Sequence, residues 1–305
     1  MNSVSHQAPA RLGAQEQKTS VRRFLVDLSE LIKVRLTSLV LMTTFVGFLF
    51  GQRGELDLLY LFHTLCGTFL AAAGAAALNQ VFEADYDLRM RRTKNRPIPA
   101  QRLSRDNGLI IGLLASGAGV IYLSLATNLL AGLLTALTVV TYLFAYTPLK
   151  RVTTLNTIVG AVPGALPPMI GWVAARGQID LEAWILFAIL FLWQMPHFLA
   201  IAWLYRKDYR DAGFVMLSGS DPDCRQTGRL ALFYTMALVS VSLLPFVLRL
   251  TSFWYAIVAL ICGIGFFLAS FSFALTGSEK TARRLFLVSI IYLPLTLGTM
   301  VLTRV

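Results

Sequence analysis

Uncharged stretches recur along the chain at residues 36–51, 58–82, 108–126, 127–149, 152–175, 183–205, 230–248, 250–278 and 285–303, separated only by short charged segments. Most reach the ~20 residues that cross the hydrocarbon of a bilayer. At that depth a backbone must satisfy its own hydrogen bonds, so the spanning form is helical. The sequence therefore predicts an all-α, polytopic membrane protein with nine transmembrane helices. A content of 56% hydrophobic against 14% charged residues excludes a soluble domain of this size. The first stretch is short and draws in the turn carrying Lys33 and Arg35, whose stems snorkel or whose charges face a polar cavity.

Placing the N-terminus inside leaves only Arg53, Arg176, Arg249 and Arg304, of 27 Lys and Arg residues, on the outer side. That bias predicts an N-in, C-out topology. It also accounts for the net charge of +11, which reads as topogenic and phosphate-binding, with no nucleic-acid partner implied. Residues 1–24 are polar and lack an apolar signal core, so they read as a disordered cytoplasmic tail ahead of a single transmembrane domain, 25–305. Cys66 and Cys262 fall within spans and Cys224 in an inside loop, which implies no disulfide framework.

The chemistry concentrates where the second stretch ends, in Asn79-Gln-Val-Phe-Glu-Ala-Asp-Tyr-Asp-Leu-Arg-Met-Arg-Arg-Thr-Lys-Asn-Arg-Pro97. On a helix, Asn79, Glu83 and Asp87 lie four residues apart and share one face, whereas Asp85 points elsewhere. Carboxylates at a helix C-terminus repel one another and the negative end of the macrodipole unless a cation compensates. Hard oxygen donors without Cys or His suggest Mg²⁺ bridging carboxylates to substrate phosphates. Arg92, Lys94 and Arg96 then pair with the remaining phosphate charge.

A second inside loop reads Tyr205-Arg206-Lys207-Asp208-Tyr209-Arg210-Asp211. Asp208 and Asp211 share a helix face and make either a second metal comb or a solvated loop of ion pairs. A small inside loop, Tyr146-Thr-Pro-Leu-Lys150-Arg151, places further cations at the same side. Ala71–Ala77 and the Gly- and Pro-punctuated segment 160–171 suit close helix packing or a bend around a cavity. His197, in Trp193-Gln-Met-Pro-His-Phe198, is an intramembrane imidazole, costly enough to suggest a role or else a helix–helix hydrogen bond. It lies eleven residues, roughly 16 Å of continuous helix, from Asp208. That is too far for a phosphate contact.

Together, Asn79-x3-Glu83-x3-Asp87, Arg92-Thr-Lys-Asn-Arg-Pro97, Tyr146-Thr-Pro-Leu-Lys-Arg151, Pro163-Gly-Ala-Leu-Pro-Pro168-x-x-Gly171, Trp193–Phe198 and Lys207-Asp-Tyr209 resemble the intramembrane prenyltransferase superfamily that includes 4-hydroxybenzoate polyprenyltransferase, in its heme-farnesylating branch. The resemblance runs from about Glu30 to the C-terminus. It implies that Asn79, Glu83, Asp87 and Asp208 hold Mg²⁺ on an allylic diphosphate, with Asp211 beside them. Arg35, Arg92, Lys94, Arg96, Tyr146, Lys150, Arg206 and Lys207 then bind that substrate, and His197 serves the porphyrin. Glu83 stands where the family usually has Asp, Val34 where it has Pro, and Ala212 where a second acid would follow Asp208.

The activity so implied joins the farnesyl group of farnesyl diphosphate to a vinyl group of heme b with addition of water, giving heme O. The resemblance also implies a bacterial inner-membrane setting among lipid, a cytoplasmic site, and a heme A synthase or oxidase assembly protein as a candidate partner. Prenylation of a quinone-type aromatic acid would use the same diphosphate site. A cation-coupled transporter would place its acids near the bilayer midplane rather than at one interface.

Overall fold

The computed structural model describes residues 22–305. Residues 1–21, most of the expected tail, lie outside the described residues, while 22–24 already belong to a short helix, α1 (22–31). Lys33 then adopts a left-handed backbone, φ 50°, and breaks the chain before α2 (Val34–Gly51). The first span thus begins after Lys33, which lies just outside it.

Among the described residues nine helices are long and apolar enough to cross a membrane. After α2 come α3 (Leu58–Asp87), α4 (Arg105–Ala126), α5 (Leu129–Leu149), α6 (Asn156–Arg176) and α7 (Leu181–Leu204). A short helix, α8 (Arg206–Asp211), precedes α9 (Arg225–Val247), α10 (Phe253–Thr276) and α11 (Glu279–Leu302). The chain is an integral, multi-pass membrane protein of helices. Large apolar side chains face outward on many spans, Leu114, Leu125 and Leu275 among them, as lipid contact requires. Within α5, Thr141–Tyr146 is π-helical. The wider turn re-aims the residues that follow it.

Small residues decide how the spans pack. Without a hydrophobic drive between helices in lipid, close backbone approach supplies the dispersion energy that holds them. A Cβ added at Gly47 of α2 would stand 1.9 Å from the carbonyl oxygen of Pro168 in α6, and one at Gly171 of α6 would stand 1.9 Å from that of Thr44 in α2. Gly74 and Gly119 bring α3 and α4 together in the same way. The helix α6 carries Pro163, Pro167 and Pro168 within its length and is the most enclosed span.

At the end of the bundle away from Asp87, the Arg304 guanidinium donates to the carbonyls of Leu49 and Gln52, the latter at 2.7 Å. The chain's last residues thereby hold the end of α2.

Gly171→Ala is expected to destabilise the protein by about 1–3 kcal/mol, because a backbone carbonyl blocks the new methyl. Gly117→Ala, with no atom within 4 Å of its Cβ, should carry no such cost. Thermal unfolding of both variants in detergent, followed by tryptophan fluorescence, checks the contrast.

Candidate active site

The helix α3 continues without a break through Asp87, so the four-residue spacing holds to its last turn. Asn79, Glu83 and Asp87 are buried, at 1%, 4% and 2% exposure, while Asp85 points out and pairs with Arg105 on the surface. One face of one helix therefore delivers three oxygen groups into the protein at its negatively polarised end.

Each group meets a cation from a different segment. The Lys33 ammonium donates to Asn79 Oδ1 at 2.5 Å, that of Lys150 to Glu83 Oε1 at 2.7 Å, and the Arg96 guanidinium to Asp87 Oδ2 at 2.6 Å. The left-handed turn at Lys33 is fixed from α3 itself. Gln80, wholly buried, donates to the carbonyls of Glu30 and Leu31 at 2.8 and 3.1 Å, tying down the end of α1. Arg96 is presented by a loop that folds back over the end of α3, where the Thr93 hydroxyl donates to the Asp87 carbonyl at 3.0 Å. Lys150 follows the π segment, and its ammonium lies 4.3 Å from the centre of the Tyr146 ring. Gly160 makes room for that ring, since a Cβ there would sit 2.5 Å from it.

The two lysines experience opposite fields. Burial, with Arg96 close by, pushes the Lys33 ammonium down to about 7. Burial also works against Lys150, but the Glu83 carboxylate overcomes it and holds that lysine above its ordinary value. Near neutral pH, Lys33 can thus take up a proton as an anion arrives, whereas Lys150 is already charged.

The structure puts Asn79, Glu83 and Asp87 on one face, as their spacing predicts, and brings Arg96, Lys150 and Tyr146 to them from other segments. Lys33 belongs there too. Its sequence neighbourhood gave only the choice of a snorkelling stem or a polar cavity, and its partner lies 46 residues away. Arg35, by contrast, is exposed on the first turn of α2 and makes no ion pair among the described residues. Arg92 and Lys94 are exposed on the loop after α3, and Arg92 reaches across to the Tyr205 ring, 5.6 Å away.

The second acidic loop packs beside the first. Phe214 and Tyr209 form a small apolar cluster with Tyr86 and Met90. Asp208 is half-buried and Asp211 exposed, with no ion pair to either among the described residues. Arg206 turns to Glu279 of α11 at 3.3 Å and to the Trp203 carbonyl, and Lys207 is exposed. Among the described residues no three His, Cys, Asp or Glu side chains converge as metal ligands. The comb offers two carboxylates, and its third donor is an amide.

His197 sits apart within α7. That helix ends at Leu204, and α8 begins anew at Arg206, so the continuous helical rise expected between His197 and Asp208 stops at Leu204.

This bundle has the intramembrane prenyltransferase fold. It superposes with a TM-score of 0.78 on a solved structure described as digeranylgeranylglyceryl phosphate synthase in membranes, at 19% identity over 92% of this chain and 98% of the other. It also superposes with a TM-score of 0.63 on a homologue from Archaeoglobus fulgidus bound to GPP and Mg²⁺, at 11% identity over 90% and 99% of the two chains. The chain belongs to the UbiA prenyltransferase family, whose model matches residues 40–291. It is similar throughout to the protoheme IX farnesyltransferase of Solibacter usitatus, 46% identical over 91% of this chain and 98% of that protein.

Asp87→Ala is expected to lower prenyl transfer by ~10²-fold or more, since it removes one of the two buried carboxylates of the comb. Asp85→Ala, on the outer face, should have little effect, and equal damage from the two would break the helical-face assignment. Lys33→Met should raise the KM for the prenyl diphosphate by roughly 10–100-fold, the cost of one charge-assisted hydrogen bond. Turnover of membrane-extracted protein, with expression checked by gel filtration, measures all three.

Proposed function

We propose that the protein transfers the farnesyl group of farnesyl diphosphate to a vinyl group of protoheme IX, heme b, with addition of water, giving heme O and diphosphate. The observation that carries the diphosphate half is that all three comb oxygens face cations brought from separate segments, Lys33, Lys150 and Arg96. A site of paired but separable charges suits a multiply charged anion, which can take over the cations while the oxygens turn to a metal. The acceptor half is supported by the similarity along nearly the whole chain to protoheme IX farnesyltransferases.

The donor set fits Mg²⁺. Asn79, Glu83 and Asp87 offer hard oxygens with no Cys or His among them, and Glu83 and Asp87 each commit only one carboxylate oxygen to an ion pair. A homologue of the same fold is bound to GPP and Mg²⁺. When bound, Mg²⁺ supplies charge neutralisation on the leaving diphosphate. Asp208, with Asp211 beside it, is assigned as the second acidic element.

The chain's own groups act by electrostatics. Lys150, already protonated, and Lys33, recruited by the anion, bind phosphate oxygens with Arg96, while Arg35, Arg92, Lys94, Arg206 and Lys207 supply positive charge around them. As the C1–O bond breaks, the electron pair leaves with the diphosphate. The allylic cation is captured by the vinyl carbon, water adds to the resulting carbocation and a proton is released. The Tyr146 ring, whose face already lies against Lys150, favours positive charge beside it. His197 serves the porphyrin side.

The reading places the protein in the bacterial inner membrane, N-in and C-out, with the site on the cytoplasmic side and the farnesyl tail among lipid. The positive-inside bias of the loops supports that orientation. A heme A synthase or an oxidase assembly partner would receive the product.

Purified protein given farnesyl diphosphate and protoheme should yield a more hydrophobic pigment, separable by reversed-phase chromatography. Thorough chelation should abolish turnover, and Mg²⁺ should restore it. Full activity after chelation would sink the metal assignment, and prenylation of an aromatic acid in place of protoheme would sink the acceptor.

A further inference from the structure

His197 makes the helix–helix hydrogen bond that an intramembrane histidine can settle for, yet that bond uses only half of its ring. Its Nδ1 lies 2.7 Å from the Ser289 hydroxyl oxygen on α11. That hydroxyl has one proton, and it is spent on the Phe286 carbonyl, to which it donates at 2.6 Å. The Ser289 oxygen must therefore accept, and the proton between the two residues belongs to His197 Nδ1. A neutral imidazole protonated at Nδ1 carries its lone pair at Nε2. Nε2 makes no hydrogen bond among the described residues, and the residue is only half-buried.

The ring is also immobilised. Trp193 stacks with it at a centroid distance of 4.9 Å and an interplanar angle of 22°, and Phe286 at 5.1 Å and 29°. Trp193 is itself held, its indole N–H donating to the Ser289 carbonyl at 2.7 Å. A histidine that merely filled space would need neither a fixed tautomer nor two aromatic walls. A metal-ligating histidine uses the first, because the hydrogen bond at one nitrogen fixes the tautomer and orientation that present the other, and the aromatic contacts restrict the ring's rotation.

Resting on the heme-acceptor reading above, we propose that His197 Nε2 is an axial ligand to the iron of the heme substrate, with Ser289 as the residue that sets its tautomer and Trp193 and Phe286 as the clamp. His197 stands seven residues, ~10 Å of helix, inside the end of α7 at Leu204. Ligation at that depth anchors the porphyrin by its metal and leaves its vinyl edge free for the allylic carbon.

The test uses full-length protein in detergent, titrated with hemin and, separately, with iron-free protoporphyrin IX. The reduced hemin complex of the unaltered protein should show an iron–histidine stretching band by resonance Raman spectroscopy. His197→Ala should lose that band and bind hemin at least roughly tenfold more weakly. Added imidazole should restore the band, and the affinity for iron-free protoporphyrin should stay unchanged. His63→Ala should retain the band. Ser289→Ala should keep a weakened bond, its frequency shifted by loss of the hydrogen bond at Nδ1.

Absence of the band in the unaltered protein, or its persistence in His197→Ala, overturns the proposal. If farnesyl transfer to protoheme proceeds in that case, the function stands without this ligand. If the band is present but no farnesyl is transferred to protoheme, the ligation stands and the acceptor reading falls.

Discussion

Three oxygen-bearing side chains buried on one turn-to-turn line at the C-terminal end of a helix form an arrangement that cannot exist alone. Two are carboxylates, the peptide dipoles add negative potential, and neighbouring lipid offers little screening. The structure meets this with one cation for each oxygen group, and none of the three cations belongs to α3. Charge balance at Glu83 and Asp87, with the hydrogen bond that Asn79 accepts, therefore goes with where the segment after α5, the loop over the end of α3 and the turn before α2 lie. The π turns of Thr141–Tyr146 serve the same end by re-aiming the chain ahead of Lys150.

That arrangement also suits transfer to a neutral carbon acceptor. The protein needs no nucleophile of its own. It needs to hold a polyanion where its departure costs least, and to keep the second substrate elsewhere. In the described bundle the paired charges lie at one end and the aromatic rings around His197 lie inside the apolar region.

Much of this was legible in the residues. The nine spans follow from charge-free length, and the division between Asp85 outside and its neighbours inside follows from helical spacing, because α3 stays helical through Asp87. What depends on contacts between distant segments was not legible. Lys33 reaches Asn79 only because Gln80 pins the end of α1 and the backbone turns left-handed at a lysine, a conformation no local pattern signals. Arg206 is engaged by Glu279, a partner 73 residues away. The break at Tyr205 was hidden because the apolar run continues into Tyr205 without a turn residue to mark it. Ser289, likewise, is one hydroxyl among many until α11 is laid against α7.

The interlock of Gly47 and Gly171 carries a consequence for how the chain is made. The first span to leave the ribosome finds the partner its glycine surface is shaped for only after more than a hundred further residues have been synthesised. Lys33 can reach Asn79 as soon as the second span arrives, so the first hairpin can close early. Its glycine surface must nevertheless wait beside lipid or insertion machinery for the fifth span. In the order of translation, the charged end can begin to assemble before the centre of the bundle is packed.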